Sequence, residues 1–139
     1  MTKRTQTQNI LPKAEVNDQQ AKVLGEAFWK LINHYKFNRK QQAFLLGIKE
    51  NRQRLGDLET KSLIPVDPDK FRRVAHLLGI HKNLRILYPH NQKIVYEWMQ
   101  KPRENFGGMS AIDFVCFNET ETLPRLFAVR RYLDQVRVG

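Results

Sequence analysis

Helix-start and helix-stop residues alternate along this chain from Asn17 to its end, at spacings that fit a run of short helices and leave no room for a sheet. Leu24, Phe28, Leu31, Ile32 and Tyr35 recur every three or four residues as one apolar face, with Asn17 or Asp18 as N-cap and an end near His34. Asn38 caps a second, short helix that Gly47 ends in a left-handed turn. A third runs from about Glu50 to Lys61, with Leu55 and Leu58 inward and Lys49, Arg52 and Arg54 outward. Asp67-Pro68 opens a fourth, whose stripe of Phe71, Val74, Ala75 and Leu78 stops at Gly79, and a brief helix follows from His81 to Leu87. Tyr88-Pro89 then marks a boundary, because proline pushes its predecessor out of helix. Asn91 caps a unit containing Ile94, Val95, Trp98 and Met99, and Ser110 with Asp113 caps another short helix. After a polar turn at Asn118–Glu121, Thr122-Leu123-Pro124 begins the last helix. There Leu126, Val129, Leu133 and Val136 share one side, while Arg125, Arg131 and Asp134 point away. No strand pair, internal repeat or low-complexity tract breaks the series, so the expected fold class is all-α.

With 139 residues and 41% apolar content, the chain can bury one core, or two small ones sharing an interface. Its 24 Lys and Arg against 14 Asp and Glu give a formal charge of +10, which attracts polyanions and releases them as salt rises. Nucleic acid is therefore the first partner to consider, against the plainer reading of a solvated basic surface. Cys116 is alone in the apolar run Ile112–Phe117 and reads as a buried structural thiol in a reducing compartment. There is no 18-residue apolar run for a membrane span, and Met1–Gln8 is polar and basic without an apolar stretch behind it. A soluble, cytoplasmic chain is expected, with residues 1–16 as a flexible basic arm carrying Lys3 and Arg4 toward DNA.

Catalytic patterns are missing from the sequence. His34, His76, His81 and His90 lack HExxH spacing and cysteine partners, so no metal or other cofactor is expected. Gly107-Gly108 lacks the phosphate cradle GxxxxGK[ST], and no GxSxG nucleophile turn occurs. The chain reads as a binding protein and not as an enzyme.

A DNA-binding pattern is present at Arg39–Ile48 and Lys49–Arg54. In a helix-turn-helix a small residue such as Ala43 lets two helices approach, a glycine such as Gly47 makes the turn, and Leu46 and Ile48 close the core. The second helix then offers Asn51, Arg52 and Arg54 to base edges or phosphates, with Arg39 and Lys49 near the backbone. Gln42 and Gln53 depart from the pattern, since apolar packing residues are usual there.

The ordered series Leu45-Leu46-Gly47-Ile48, Phe71–Val74, Leu77–Ile80, Leu84–Pro89, Trp98-Met99, Phe106–Asp113 and Val129–Asp134 resembles the Xre/MbcA/ParS family of antitoxins over residues 20–139. The resemblance implies an N-terminal Xre-like helix-turn-helix bundle followed by a small helical toxin-binding domain. It implies a partner, a RES-domain toxin that consumes NAD, and repression of the chain's own operon. Phe106, Gly107, Gly108 and Ser110 match the toxin-binding loop, where the resemblance implies close backbone approach at the glycines. Arg130, Arg131 and Tyr132 match the closing helix, and Arg137 and Gly139 a short tail at the toxin's active site. Between Phe117 and Leu123 the chain departs from the family, with Asn118-Glu119-Thr120-Glu121 where a glycine-containing turn is common.

The expected organisation is an arm at 1–16, a helix-turn-helix domain at 17–89 and a toxin-binding domain at 90–139, acting as a homodimer on operator DNA. The expected function is that of a type II antitoxin that occludes the toxin's NAD site and autoregulates its transcription. The alternative is a stand-alone helix-turn-helix regulator without a toxin, and an unrecognised enzyme is a distant third.

Overall fold

A computed structural model of the protein describes residues 13–139, with side chains from Asn17 onward. The chain is all-α. Its helices are α1 (Lys13–Tyr35), α2 (Arg39–Leu46), α3 (Arg52–Lys61), α4 (Pro68–Leu87), α5 (Gln92–Glu97), α6 (Ala111–Val115) and α7 (Thr122–Val138). Single 3-10 turns stand at Trp98–Gln100, Glu104–Phe106 and Glu119–Glu121. No strand occurs among the described residues; one isolated antiparallel bridge pairs Pro102 with Ser110. No helix among them is long and apolar enough to cross a membrane.

The expected caps at Asn38, Asp67, Asn91 and Ser110 each accept a backbone N–H from the first turn of their helix. Two boundaries differ from expectation. The expected arm lies outside the described residues over 1–12, but 13–16 are helical, so neither Asn17 nor Asp18 is the cap. Ala14 and Glu15 favour helix. The break expected at Gly79 is absent as well, and α4 runs unbroken to Leu87. Glycine inside a helix weakens it by about 1 kcal/mol; here the buried stripe Val74, Leu77, Ile80 and Leu84 carries the helix past it.

That stripe is the centre of the molecule. Helix α4 packs against α1, α2, α5 and α7, and one apolar cluster joins Phe28 and Ile32 of α1, Leu46 of α2 and Leu126, Val129 and Leu133 of α7. A turn does stand at Tyr88–Pro89, but the core passes straight across it. Asn83 of α4, 2% exposed, donates from Nδ2 to Asp134 Oδ1 of α7 at 2.8 Å, so Asp134 faces inward and not outward. Arg125 is also turned in, donating to the Phe114 carbonyl at 2.9 Å and paired with Glu121 at 3.0 Å. Ile94 and Val136, expected inside, are exposed because Val95, Trp98, Met99 and Leu133 already fill those faces.

Histidine and tyrosine stack where α1, α4 and α5 meet. Tyr96 lies between His34 and His81, at 4.7 and 5.9 Å between ring centroids. His81 Nδ1 is 2.8 Å from the Tyr35 hydroxyl. Burial, then the nearby Tyr96, raises the Tyr35 phenol above its ordinary range, so it is the donor and His81 the acceptor. Burial, followed by Arg85 and His34, holds the His81 imidazole below its ordinary 6.5.

Two outcomes are expected. A fragment covering 90–139 leaves Leu126, Val129 and Leu133 without α4, so it should show no cooperative thermal transition by circular dichroism; a sharp one would mean that the second half folds alone. A depressed histidine pKa means that the unfolded chain binds more protons, so stability is full above pH 6.5 and falls as pH drops below it. His76 is depressed too and adds in the same direction. Melting temperature should therefore decline from pH 7.5 to 5. His81→Gln, which keeps an acceptor for Tyr35, should flatten the decline; an unchanged slope would assign it to other groups.

Candidate nucleic-acid and partner interfaces

The segment expected to form a helix-turn-helix corresponds to α2 and α3. Asn38 and Gln41 exchange side-chain and backbone hydrogen bonds in a capping box at 2.8 and 2.9 Å. At the other end Gly47 is left-handed, with φ 68°, and its N–H reaches the Ala43 and Phe44 carbonyls. The sequence reading missed what holds this end. Lys70 donates to the Gly47 carbonyl at 3.0 Å and Arg73 to the Phe44 carbonyl at 3.0 Å, both from the first turns of α4. These cations sit on the negative end of the α2 dipole. Asp69 holds them from below, 2.9 Å from Arg73 and 3.1 Å from Lys70. Its carboxyl lies below the usual range because these two cations outweigh its partial burial. A Cβ at Gly47 would lie 2.5 Å from the Arg73 guanidinium carbon, so glycine is required there twice over. The available signal was the basic pair at 70 and 73 on one face of a helix start.

The proposed DNA contacts divide into two groups. Lys49, Arg52 and Arg54 are exposed, and no carboxylate among the described residues lies within 4.0 Å of them. Arg39 is committed inside the chain: it pairs with Glu59 of α3 at 2.9 Å and donates to Gln42 Oε1 at 2.9 Å, clamping α2 to α3. Asn51 is the N-cap of α3, its Oδ1 accepting the Arg54 N–H at 2.9 Å, so only its Nδ2 is left for a base. Gln42, 5% exposed, is satisfied in the core because its Nε2 also donates to the Phe37 carbonyl at 2.8 Å. Gln53 is on the exposed face. A groove of about 600 Å³, lined by Lys40, Phe44, Ile48, Lys49 and Glu119, runs beside the turn.

In the second half, the loop between Lys101 and Ser110 closes on itself. Arg103 N–H donates to the Met109 carbonyl at 3.0 Å and Gly108 N–H to the Arg103 carbonyl at 2.9 Å. Gly107 and Gly108 have φ 66° and 84°, and nothing in the chain lies within 4 Å of a Cβ built on either. Positive φ favours glycine at both positions, and within the chain nothing approaches them closely. Phe106 is 5% exposed, at 5.2 Å from Phe114 and 5.6 Å from Tyr132, and belongs to the core. Ser110 is buried too, its Oγ accepting the Asp113 N–H at 3.2 Å. These two shape the loop and offer little surface to a partner. Arg131, Arg137 and Gly139 are exposed, and the half-buried Tyr132 donates to Asn105 Oδ1 at 3.4 Å, tying the loop to α7. Arg137 lies within α7, which runs to Val138, and Gly139 N–H still bonds the Gln135 carbonyl at 2.9 Å, so positions 137–139 form no separate tail. Arg103 lies 4.1 Å over the Trp98 ring and donates from Nη2 to the Trp98 carbonyl at 3.3 Å.

Cys116 is half-buried, and burial followed by the Asp113 charge pushes its thiol up to about 12, so it is protonated at neutral pH. No group of histidine, cysteine, aspartate and glutamate that could hold a metal occurs among the described residues.

No family model matches the chain. It is 29% identical over 114 residues to y4oB of Sinorhizobium fredii (strain NBRC 101917 / NGR234), a protein described as uncharacterized, with 82% of this chain and 84% of that protein covered. No solved structure matches.

The two kinds of glycine separate in a stability measurement. Gly47→Ala should lower the unfolding free energy in urea by about 2 kcal/mol or more, since backbone strain adds to displacement of Arg73. Gly107→Ala carries only the strain, about 1 kcal/mol. Equal losses would remove Arg73 from the account.

Proposed function

We propose that this chain is a DNA-binding antitoxin that neutralises a RES-domain, NAD-consuming toxin and represses its own operon from the cytoplasm. The observation that carries the DNA side is the unpaired basic segment Lys49, Arg52 and Arg54 at the start of α3, immediately after a turn fastened by Lys70 and Arg73. Cations there release counterions from a phosphate backbone without first breaking an internal ion pair. A homodimer would present two such helices to successive major grooves of a palindromic operator. Resemblance to the Xre/MbcA/ParS family supports the toxin side, and the Gly107-Gly108 loop with Arg131, Tyr132, Arg137 and Gly139 is the surface it points to. Inhibition on this reading is steric occlusion of the NAD site, with no chemistry supplied by the chain. The burial of Phe106 and Ser110 gives the lone-regulator reading its one specific support.

Replacing Arg52 and Arg54 together by Ala should weaken operator binding and reduce the slope of log K against log salt by about 1 for each phosphate that is no longer neutralised. The same variant should still suppress NAD consumption by a RES-domain toxin that the wild-type chain neutralises. Unchanged binding across a gel-shift salt series, with the helical circular dichroism signal intact, removes α3 from the DNA contact. Suppression that disappears together with DNA binding would show that the two activities share a surface.

A further inference from the structure

Where α4 runs beside α7, a cluster of cations stands outside every role assigned above. Arg130 of α7 lies flat on Gly79 of α4: a Cβ at that glycine would meet Arg130 Nε at 2.4 Å and Cζ at 2.5 Å. Even alanine would displace the guanidinium. His76 Nδ1 faces Arg130 Nη1 at 3.5 Å, and Arg72, one helical turn before His76, is exposed. Neither arginine has a carboxylate within 4.0 Å among the described residues. A guanidinium carries five N–H donors, and the contact with His76 engages one of them, so most of the Arg130 fork is unused. Burial, then Arg130, then Arg72 keep His76 below its ordinary range, consistent with a neutral ring that accepts from Arg130. Phe127 stands edge-on to His76 at 5.4 Å and is 48% exposed.

The chemistry selects one kind of occupant. Like charges gathered without a counterion destabilise the free chain, and an exposed phenyl beside them adds apolar area in water. A second copy of this +10 chain would set guanidinium against guanidinium. A phosphate backbone would answer the charges but leave Phe127 in water. A protein surface with carboxylates around an apolar hollow answers both, and arginine with an aromatic ring is the composition of an interface centre. We propose that Arg72, His76, Arg130 and Phe127 form a docking surface for an acidic protein partner, with Arg130 as a carboxylate fork positioned by Gly79 and Phe127 as its apolar anchor. This rests on the reading that the chain neutralises a partner protein, and adds a second contact to the one at the Gly107-Gly108 loop.

The test uses the full chain, a purified RES-domain protein as probe, and a duplex of candidate operator DNA in parallel. Arg72→Glu and Phe127→Ser alter exposed side chains and should each weaken the protein complex about tenfold or more in calorimetry while leaving duplex binding within about twofold. Arg130→Lys should fail to preserve affinity because lysine lacks the planar fork, and Gly79→Ala should behave as Arg130→Ala does. Wild-type affinity in the folded Arg72→Glu and Phe127→Ser variants overturns the proposal while leaving the antitoxin reading in place. Loss of duplex binding with the protein complex unchanged overturns it in favour of a phosphate site. A wild-type chain that forms no complex defeats the antitoxin reading itself, and this surface with it.

Discussion

Val74, Leu77, Ile80 and Leu84 line α4 and are at most 1% exposed, although the helix is packed by α1 and α2 from the first half and α7 from the second. A helix enclosed on several sides orders everything that touches it, since its neighbours can bury their own stripes only by meeting the same residues. The turn at Tyr88–Pro89 separates elements of secondary structure; it does not separate cores. Asn83 and Asp134 reinforce the seam, because a buried amide must find a partner and its partner is on the far helix.

The same helix governs the candidate DNA surface. Lys70 and Arg73 add donors from the start of α4 to the Gly47 and Phe44 carbonyls at the end of α2. Arg39 then ties α2 to Glu59 of α3. The orientation of α3 is thereby linked through α2 to α4, and through α4 to α7. A contact that moves α7 has a physical route to the basic segment at Lys49–Arg54, made of packed helices and not of a flexible linker.

Polar groups and glycines fall into two kinds, those with partners inside the chain and those without. Gln42 sits in the core with both ends of its amide satisfied, whereas Lys49, Arg52 and Arg54 carry charge without any internal partner. Gly47 yields to an arginine of its own chain, while Gly107 and Gly108 adopt positive φ over empty space. The first glycine is fixed by an internal contact of the fold; at the other two the chain leaves the space beyond the Cα unfilled.

Much of the secondary structure was legible in the sequence because it is set by neighbours a few residues apart. Asn38, Asp67, Asn91 and Ser110 cap where their side chains reach the next turn, and Gly47 ends α2 because only its own φ decides that. The all-α class follows from the same local rules, as do the exposed positions of Arg52 and Arg54. What depended on distant residues was not legible. Gly79 reads as a stop from its own neighbourhood, yet the helix runs through it on the buried stripe Val74, Leu77, Ile80 and Leu84, and Arg130, fifty-one positions further on, occupies the space a side chain would fill. Phe106 and Ser110 read as contact residues from their motif, yet Phe114, Tyr132 and the start of α6 enclose them. The sequence by itself determined where helices begin and what charge they carry. Only the tertiary structure decided which of those charges remain free, since that is settled by partners brought together across the whole chain.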